Sequence, residues 1–298
     1  MNNQFENFPL KKEPNNLVRE AKFITEKLFN SRLEGEENLK SIPTGRPIIF
    51  MTTHLSNNDV PLAVASLGKY FPNLTVAHSS THQKFSNNSG AYLLLHIGGL
   101  ENFFPIKFNG GRGEGKGSFR PDNYEHMRDS LEGGVPDKSG KPQEGRPIIV
   151  ASHYTPNNKS GEWKLPPQGG IGGPYLAQIT KNVVIVPVAI EIKSDKPFGL
   201  KTNDIGMLAK RTLGRKTLEA TVHVGKMMEP KKIEGIERLG DLVRKREKGV
   251  KMSAEELARI KELYKKLSDE SDRVLDAQAA LLPEKTRGER ASLAKPSI

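Results

Sequence analysis

Cysteine is absent from this chain, which excludes disulfide bonds, thiolate nucleophiles and cysteine ligands for metals. Long hydrophobic runs are absent too. The longest, VVIVPVAI at 183–190, has the length of a strand, whereas a membrane-spanning helix needs about 20 apolar residues. The first residues, MNNQFENFPLKKEP, contain no hydrophobic signal core. We therefore expect a protein that is not secreted, lies on the cytoplasmic or organelle-stromal side, and is soluble or peripheral to a membrane.

Aromatic residues are scarce, at 6% of the chain, and Trp163 is the single tryptophan. No stretch alternates basic and stacking side chains as single-strand binders do, so we expect no specific nucleic-acid partner. Lysine and arginine outnumber aspartate and glutamate by 46 to 35, which gives a net charge of +11. This charge attracts anionic partners of any kind, so a non-catalytic protein that binds anionic lipid or nucleic acid stays an alternative to an enzyme.

The N-terminal segment, residues 1–40, contains one predicted helix at 16–33. Its apolar face consists of Leu17, Ala21, Ile24 and Leu28, with Phe29 beside them, while Arg19, Lys22 and Lys27 lie elsewhere on the helix. We expect this helix to pack on the core. Peripheral contact of a basic amphipathic helix with an anionic membrane is the alternative.

Residues 41–230 predict an α/β domain. Six short runs rich in β-branched and other apolar residues, PIIFM, LTVAH, FFPIKF, PIIVA, VVIVPVAIEI and LEATVHVG, are separated by longer stretches, several of helical length. Such alternation is typical of a mixed, mainly parallel central sheet that is flanked by helices.

Residues 231–283 predict a charged helical extension. Ser253 and Glu256 have the spacing of a capping box. The helix that they begin has one apolar side, made of Leu257, Ile260, Leu263, Leu267, Val274 and Leu275. We expect this helix to pack on the domain, with oligomerisation through a short coiled coil as the alternative. The composition of residues 284–298 predicts a disordered tail.

One histidine stands where a predicted strand ends. GRPIIFMTTHLSNND at 45–59 places His54 at the carboxyl end of the strand, where open α/β sheets bind ligands, and Asp59 five residues later. A carboxylate that accepts a hydrogen bond from one imidazole nitrogen stabilises the imidazolium formed when the other nitrogen takes a proton. The pair therefore suits a general base for an alcohol. The alternative is that Asp59 only caps the next helix.

These residues resemble a motif of the glycerolipid acyltransferase superfamily, the phosphate acyltransferases and lysophosphatidate acyltransferase-like proteins. Their first motif is histidine, any four residues and aspartate after a strand, and THLSNND at 53–59 matches it, including Ser56. A glycine-flanked strand ending in a basic residue is similar to IGGLENFFPIKFNGGRG at 97–113. The later blocks are matched by YEHMRDSLEGG, by GRPIIVA and by the proline-containing strand VVIVPVAI with Pro187. The resemblance covers residues 16–230.

The resemblance implies an O-acyltransferase of the glycerol-3-phosphate or lysophospholipid type. In such an enzyme His54, oriented by Asp59, acts as general base on the acceptor hydroxyl. The acyl donor is acyl-CoA or acyl-carrier protein, which is a cosubstrate, and neither a bound cofactor nor a metal is expected. The acceptor is a glycerol phosphate or a lysolipid.

One block departs from the family pattern. The third block usually reads Glu-Gly-Thr-Arg and contacts the acceptor, often its phosphate, whereas this chain has ASHYTPNN at 151–158. His153, Tyr154 and Thr155 stand there, and we expect them to bind substrate. His153 is followed five residues later by Asn158 instead of a carboxylate, so we expect it to bind or shape the site rather than to act as the base.

Three basic residues are candidate phosphate ligands. Lys107 and Arg112 both match the basic residue of the second block, and Arg120 follows them. A solvated surface role is the alternative for each.

Two other motifs give weaker signals. GGRGEGKGSF at 110–119 resembles a phosphate-binding loop, but Gly117 stands where Ser or Thr is required, so a loop over the site or a basic strip is favoured. His78 and His82 are four residues apart without a nearby carboxylate, and we expect no metal site there.

Overall fold

The structure, a computed structural model, describes residues 13–55, 59–79, 98–106, 119–134, 144–152, 164–193, 218–288 and 290. The strands in these residues are β1 (Phe29–Glu34), β2 (Ile48–Thr52), β3 (Thr75–Ser79), β4 (Phe103–Ile106), β5 (Ile148–Ala151), β6 (Val184–Lys193) and β7 (Leu218–Val224). The helices are α1 (Asn16–Leu28), α2 (Glu36–Lys40), α3 (Asp59–Leu67), α4 (Asp122–Glu132), α5 (Gly172–Ile179), α6 (Leu239–Glu247) and α7 (Ala254–Leu281). Short 3-10 turns cover Leu100–Asn102, Ile236–Arg238 and Glu284–Thr286.

The strands form one sheet in the order β1-β7-β6-β2-β5-β3-β4. Neighbouring strands run parallel except for β6 and β7, which are antiparallel. All six apolar runs predicted to be strands are strands, and the predicted mixed, mainly parallel sheet flanked by helices is confirmed. Because β6, β2, β5, β3 and β4 point the same way, their carboxyl ends meet at one edge of the sheet, where such folds place ligands.

The two faces of the sheet are covered by different helices. Alternate residues of a strand point to opposite faces, so Phe50 of β2 packs with α1 and α3, whereas Ile49 and Met51 pack with α4, α5, α6 and α7. Both faces are buried, as expected of a parallel sheet. None of the helices in the described ranges is both long and apolar enough to cross a membrane.

The N-terminal helix is shorter than predicted. The side chain of Asn15 accepts a hydrogen bond from the N–H of Val18 and begins α1. Leu17 and Ala21 are buried against α3, as predicted, but α1 ends at Leu28. Residues 29–33, predicted to continue the helix, belong to the edge strand β1 instead, because their backbone pairs with β7.

The C-terminal helix α7 packs on the sheet. The predicted capping box is confirmed, since Ser253 and Glu256 each bond the other's backbone N–H. The predicted apolar side is buried except for Leu257, which lies in the first turn of α7 and is 43% exposed. The composition predicts disorder after Pro283, whereas the described part of that tail packs on the domain: Arg290 is buried and its guanidinium bonds the carbonyl oxygen of Pro167.

Candidate functional site

The chain is anchored to the sheet up to the residue before His54. Thr52 is the last residue of β2 and pairs with Val188 of β6, which continues beyond the end of β2. The N–H of Thr53 donates to the carbonyl oxygen of Val188 at 3.0 Å, and its hydroxyl oxygen accepts from the N–H of Ile190 at 3.1 Å. Thr53 is fully buried. The longer strand β6 therefore fixes the backbone just before the histidine.

His54 is the second residue beyond the end of β2, at the carboxyl edge of the parallel strands. Its Nδ1 atom is buried, while the residue as a whole keeps part of its surface exposed. One ring nitrogen is thus shielded from solvent while the residue remains partly accessible, which is compatible with a general base.

Asp59 is folded back toward the turn that carries the histidine. It is the first residue of α3 and is 1% exposed, and its Oδ2 atom accepts a hydrogen bond of 2.7 Å from the backbone N–H of Leu55. The positive end of a helix dipole favours a carboxylate at this position. Asp59 therefore places a buried carboxylate beside the residue that follows His54, and its predicted role toward the imidazole stays a prediction.

The side chain of Leu55 holds the other side of the turn. It is fully buried in a small apolar cluster at the carboxyl edge of the sheet, with Leu165, Ala189, Leu275, Ala279 and Leu282. The residues before and after His54 are thus both fixed, the first by hydrogen bonds to β6 and the second by packing and by Asp59. A histidine between two anchored residues loses little conformational freedom when it binds a substrate.

The end of β5 lies next to this turn. The N–H of Ser152 donates to the carbonyl oxygen of Thr52 at 2.8 Å, and the carbonyl oxygen of Ser152 accepts from the N–H of Gly170 at 2.7 Å. Ser152 directly precedes His153, the first of the predicted substrate contacts in this block. Ser152 and Gly170 therefore lie together beside the end of β2.

The remaining predicted site residues fall into two groups. Arg120 precedes α4, and its Nε atom lies 4.0 Å from the Oε1 atom of Glu247. Pro187 is a buried residue of β6 that pairs with Met51 of β2. Ser56, Lys107, Arg112, His153, Tyr154 and Thr155 lie outside the described residues.

Sequence reasoning missed one polar residue of this edge, Gln278 of α7. It is fully buried, and its Nε2 atom contacts Met51 of β2, Val188 of β6 and Ser152, which follows β5. The sequence does carry a signal for it, since Gln278 continues the apolar side of α7 at helical spacing from Val274 and Leu275. A polar side chain in an apolar stripe points to a specific hydrogen-bonding role.

No protein-family model matches the chain, and no curated protein matches it either. Among solved structures, it is similar to the crystal structure of the 1-acyl-sn-glycerophosphate (LPA) acyltransferase PlsC from Thermotoga maritima, with 17% sequence identity and a TM-score of 0.39. The match covers 79% of this chain and 81% of that chain.

Proposed function

We propose that the chain is an O-acyltransferase that moves a fatty acyl group from a thioester donor to a hydroxyl group of a glycerol-phosphate or lysophospholipid acceptor. The observation that carries the proposal is the buried carboxylate of Asp59, which bonds the N–H of Leu55 beside His54 at the carboxyl edge of a parallel sheet. A histidine and a buried carboxylate held in one short turn suit the removal of a proton from an alcohol.

The reaction is a direct transfer in this proposal. His54 takes the proton of the acceptor hydroxyl, and the oxygen attacks the thioester carbonyl to give a tetrahedral intermediate. Collapse of the intermediate breaks the carbon–sulfur bond, and the imidazolium returns the proton to the departing thiolate. Asp59 stabilises the positive charge of the imidazolium between these steps. No covalent acyl-enzyme is required.

The substrates are assigned by chemical class. Acyl-CoA or acyl-carrier protein is the donor and cosubstrate, and both are anionic, which suits a chain of net charge +11. Arg120, Lys107 and Arg112 are the proposed phosphate ligands, and Ser56, His153, Tyr154 and Thr155 the proposed substrate contacts. Because the third block lacks the usual glutamate and arginine, the acceptor differs from that of the typical family member. Peripheral contact with anionic lipid is part of the proposal, since a lysolipid acceptor resides in a membrane.

Mass-spectrometric detection of acyl transfer tests the proposal. The purified chain is incubated with acyl-CoA or acyl-carrier protein and a panel of glycerol phosphate, lysophospholipid and neutral lysolipid acceptors. We expect product with at least one pair, and loss of product in His54→Ala. The control is His126→Ala, because His126 is an exposed residue of α4.

The result decides between enzyme and binding protein. Product that His54→Ala forms as fast as the wild type contradicts the mechanism. Absence of product with every pair, together with binding to anionic vesicles that His54→Ala leaves unchanged, favours the non-catalytic alternative.

A further inference from the structure

Helix α7 reaches the catalytic edge through one buried amide. The Nε2 atom of Gln278 is 2.7 Å from the carbonyl oxygen of Met51, 3.0 Å from that of Val188 and 2.8 Å from Oγ of Ser152. Met51 belongs to β2, Val188 to β6, and Ser152 follows β5, so one side chain contacts the three central strands at the level where β2 and β5 end. 

The same helix holds the backbone on both sides of His54. The carbonyl oxygen of Val188, which Gln278 contacts, also accepts the N–H of Thr53. After the histidine, Leu55 packs against Leu275, Ala279 and Leu282, at and just past the end of α7. Movement of α7 therefore changes the position of the residue before the imidazole and of the residue after it.

The same helix also contacts Gly170, whose N–H donates to the carbonyl oxygen of Ser152 after β5. The hydroxyl of Ser271 donates to the carbonyl oxygen of Gly170 at 3.0 Å. A Cβ atom on Gly169 would lie 2.1 Å from Oγ of Ser271, so this close approach requires glycine. Two polar residues of α7, Ser271 and Gln278, thus contact Gly170 and Ser152, which bond each other beside the end of β2.

Packing alone does not account for a glutamine at this position. Within the described part of the chain, the Oε1 atom of Gln278 is buried and accepts no hydrogen bond. Burial of an unsatisfied amide oxygen costs free energy. What the glutamine supplies in return is its Nε2 contacts with Met51, Val188 and Ser152, which an apolar side chain would lack.

We infer that Gln278 is a positioning residue for His54, so that α7 is part of the acyl-transfer site. This inference rests on the proposed function. It extends the site beyond residues 16–230, the part of the chain that resembles the family, to a helix that the resemblance does not include.

The test replaces the amide by an apolar side chain of similar length in Gln278→Met. Two matched controls separate positioning from stability. Gln178→Met removes a glutamine that also bonds backbone groups, those of Lys231 and Ile233, but lies at the far end of α5. Leu267→Ala destabilises the same helix in the core on one face of the sheet. Should Gln278→Met fail to fold, Gln278→Asn, which shortens the side chain by one methylene, replaces it.

Kinetics with the donor and acceptor found active give the first readout. We expect Gln278→Met to lower kcat by about 10- to 100-fold with little change in KM for the donor, because displacement of a base by a fraction of an ångström slows the chemical step. Rates are compared well below the unfolding temperature. Gln178→Met and Leu267→Ala should keep the wild-type kcat. Equal losses of kcat in Gln278→Met and Leu267→Ala would overturn the inference.

A second readout does not depend on activity. The imidazole signals of His54, assigned by their absence in His54→Ala, are recorded by NMR in each variant. We expect them to shift or broaden in Gln278→Met and to stay in place in Gln178→Met. Unchanged signals in Gln278→Met overturn the inference. Changed signals in a protein that transfers no acyl group would support the positioning role and reject the proposed function.

Discussion

The carboxylate of Asp59 accepts a hydrogen bond of 2.7 Å from the backbone N–H of Leu55, across the turn that contains His54. This one contact has two consequences that substitutions can separate. It satisfies a buried N–H group, which contributes to stability, and it places a carboxylate next to the residue that follows His54, where the proposed function uses its charge.

Asp59→Asn keeps an oxygen for the N–H of Leu55 but removes the charge, whereas Asp59→Ala removes both. We expect both variants to lose about 10²- to 10⁴-fold in kcat/KM. Only the alanine variant should lose the full contribution of the hydrogen bond to the free energy of unfolding, about 1–3 kcal/mol. Urea unfolding and steady-state kinetics measure the two effects, with Asp122→Asn, at the start of α4, as control. Wild-type activity in Asp59→Asn would show that the charge is not used.

The ion pair between Arg46 and Glu229 predicts a pH-dependent difference in stability. The Nη2 atom of Arg46 donates to Oε2 of Glu229 at 2.7 Å, and this bond lowers the pKa of the Glu229 carboxyl below its ordinary value of 4.5. The contribution of this ion pair to the free energy of unfolding is complete above the pKa that the Glu229 carboxyl has in the unfolded chain. It is lost as the pH falls through the lower pKa of this carboxyl in the folded protein. Glu229→Gln should therefore cost about 0.2–1 kcal/mol at neutral pH, because the carboxylate is largely exposed, and nothing in acid.

Urea unfolding at neutral and acidic pH measures this difference. Glu234→Gln, at an exposed residue nearby, should unfold like the wild type at both. A cost for Glu229→Gln that persists below the titration of the carboxyl would mean that the amide disturbs packing rather than charge.

Adjacent glycines at the start of α5 should differ in their tolerance of alanine. A Cβ atom on Gly172 would lie 2.1 Å from the hydroxyl oxygen of Tyr124, whose ring is held in place by Phe119 and Tyr175. We expect Gly172→Ala to destabilise the protein by about 1–3 kcal/mol. On Gly173 the nearest atom is the terminal methyl of Met51 at 2.8 Å, which can move, so Gly173→Ala should cost less. Thermal unfolding compares them, and equal costs would contradict this account of the packing.

The burial pattern of α7 predicts that alanine substitutions along this helix have unequal effects on the free energy of unfolding. Leu267 is fully buried against the sheet face that α4, α5 and α6 also cover, so Leu267→Ala should lower the free energy of unfolding by about 2–5 kcal/mol. Leu257 is exposed, and Leu257→Ala should change the free energy of unfolding by less than about 0.5 kcal/mol. Denaturant unfolding at several protein concentrations checks both. A large, concentration-dependent effect of Leu257→Ala would instead indicate a coiled-coil contact between copies.

The strands of the sheet were predictable because their signal is local. Each of the six apolar runs is short, rich in β-branched residues and bounded by turn residues, so it identifies a strand without knowledge of its neighbours. The strand β1 was not predictable in this way. It is an edge strand of sequence FNSRLE with a largely exposed face, and its structure comes from pairing with β7, about 190 positions later in the chain.

The same distinction applies to the candidate site. His54 and Asp59 are five positions apart, so the strand end, the turn and the helix start are visible in one stretch of sequence. Gln278 is visible only as a polar residue in an apolar stripe, because its partners Met51 and Val188 are 227 and 90 positions away. Sequence periodicity predicts that one side of such a helix is buried. Which strands that side contacts depends on the order of the strands in the folded sheet, and the periodicity carries no information about this order.

A double-mutant cycle on His54 and Asp59 tests the central claim most directly. The kcat/KM for acyl transfer is measured for the wild type, His54→Ala, Asp59→Asn and the double variant, with one donor and one acceptor. If Asp59 acts through the imidazole, Asp59→Asn should slow the wild type by about 10²-fold or more and have almost no further effect once His54 is alanine. Losses that multiply, or a His54→Ala variant as active as the wild type, would contradict the account.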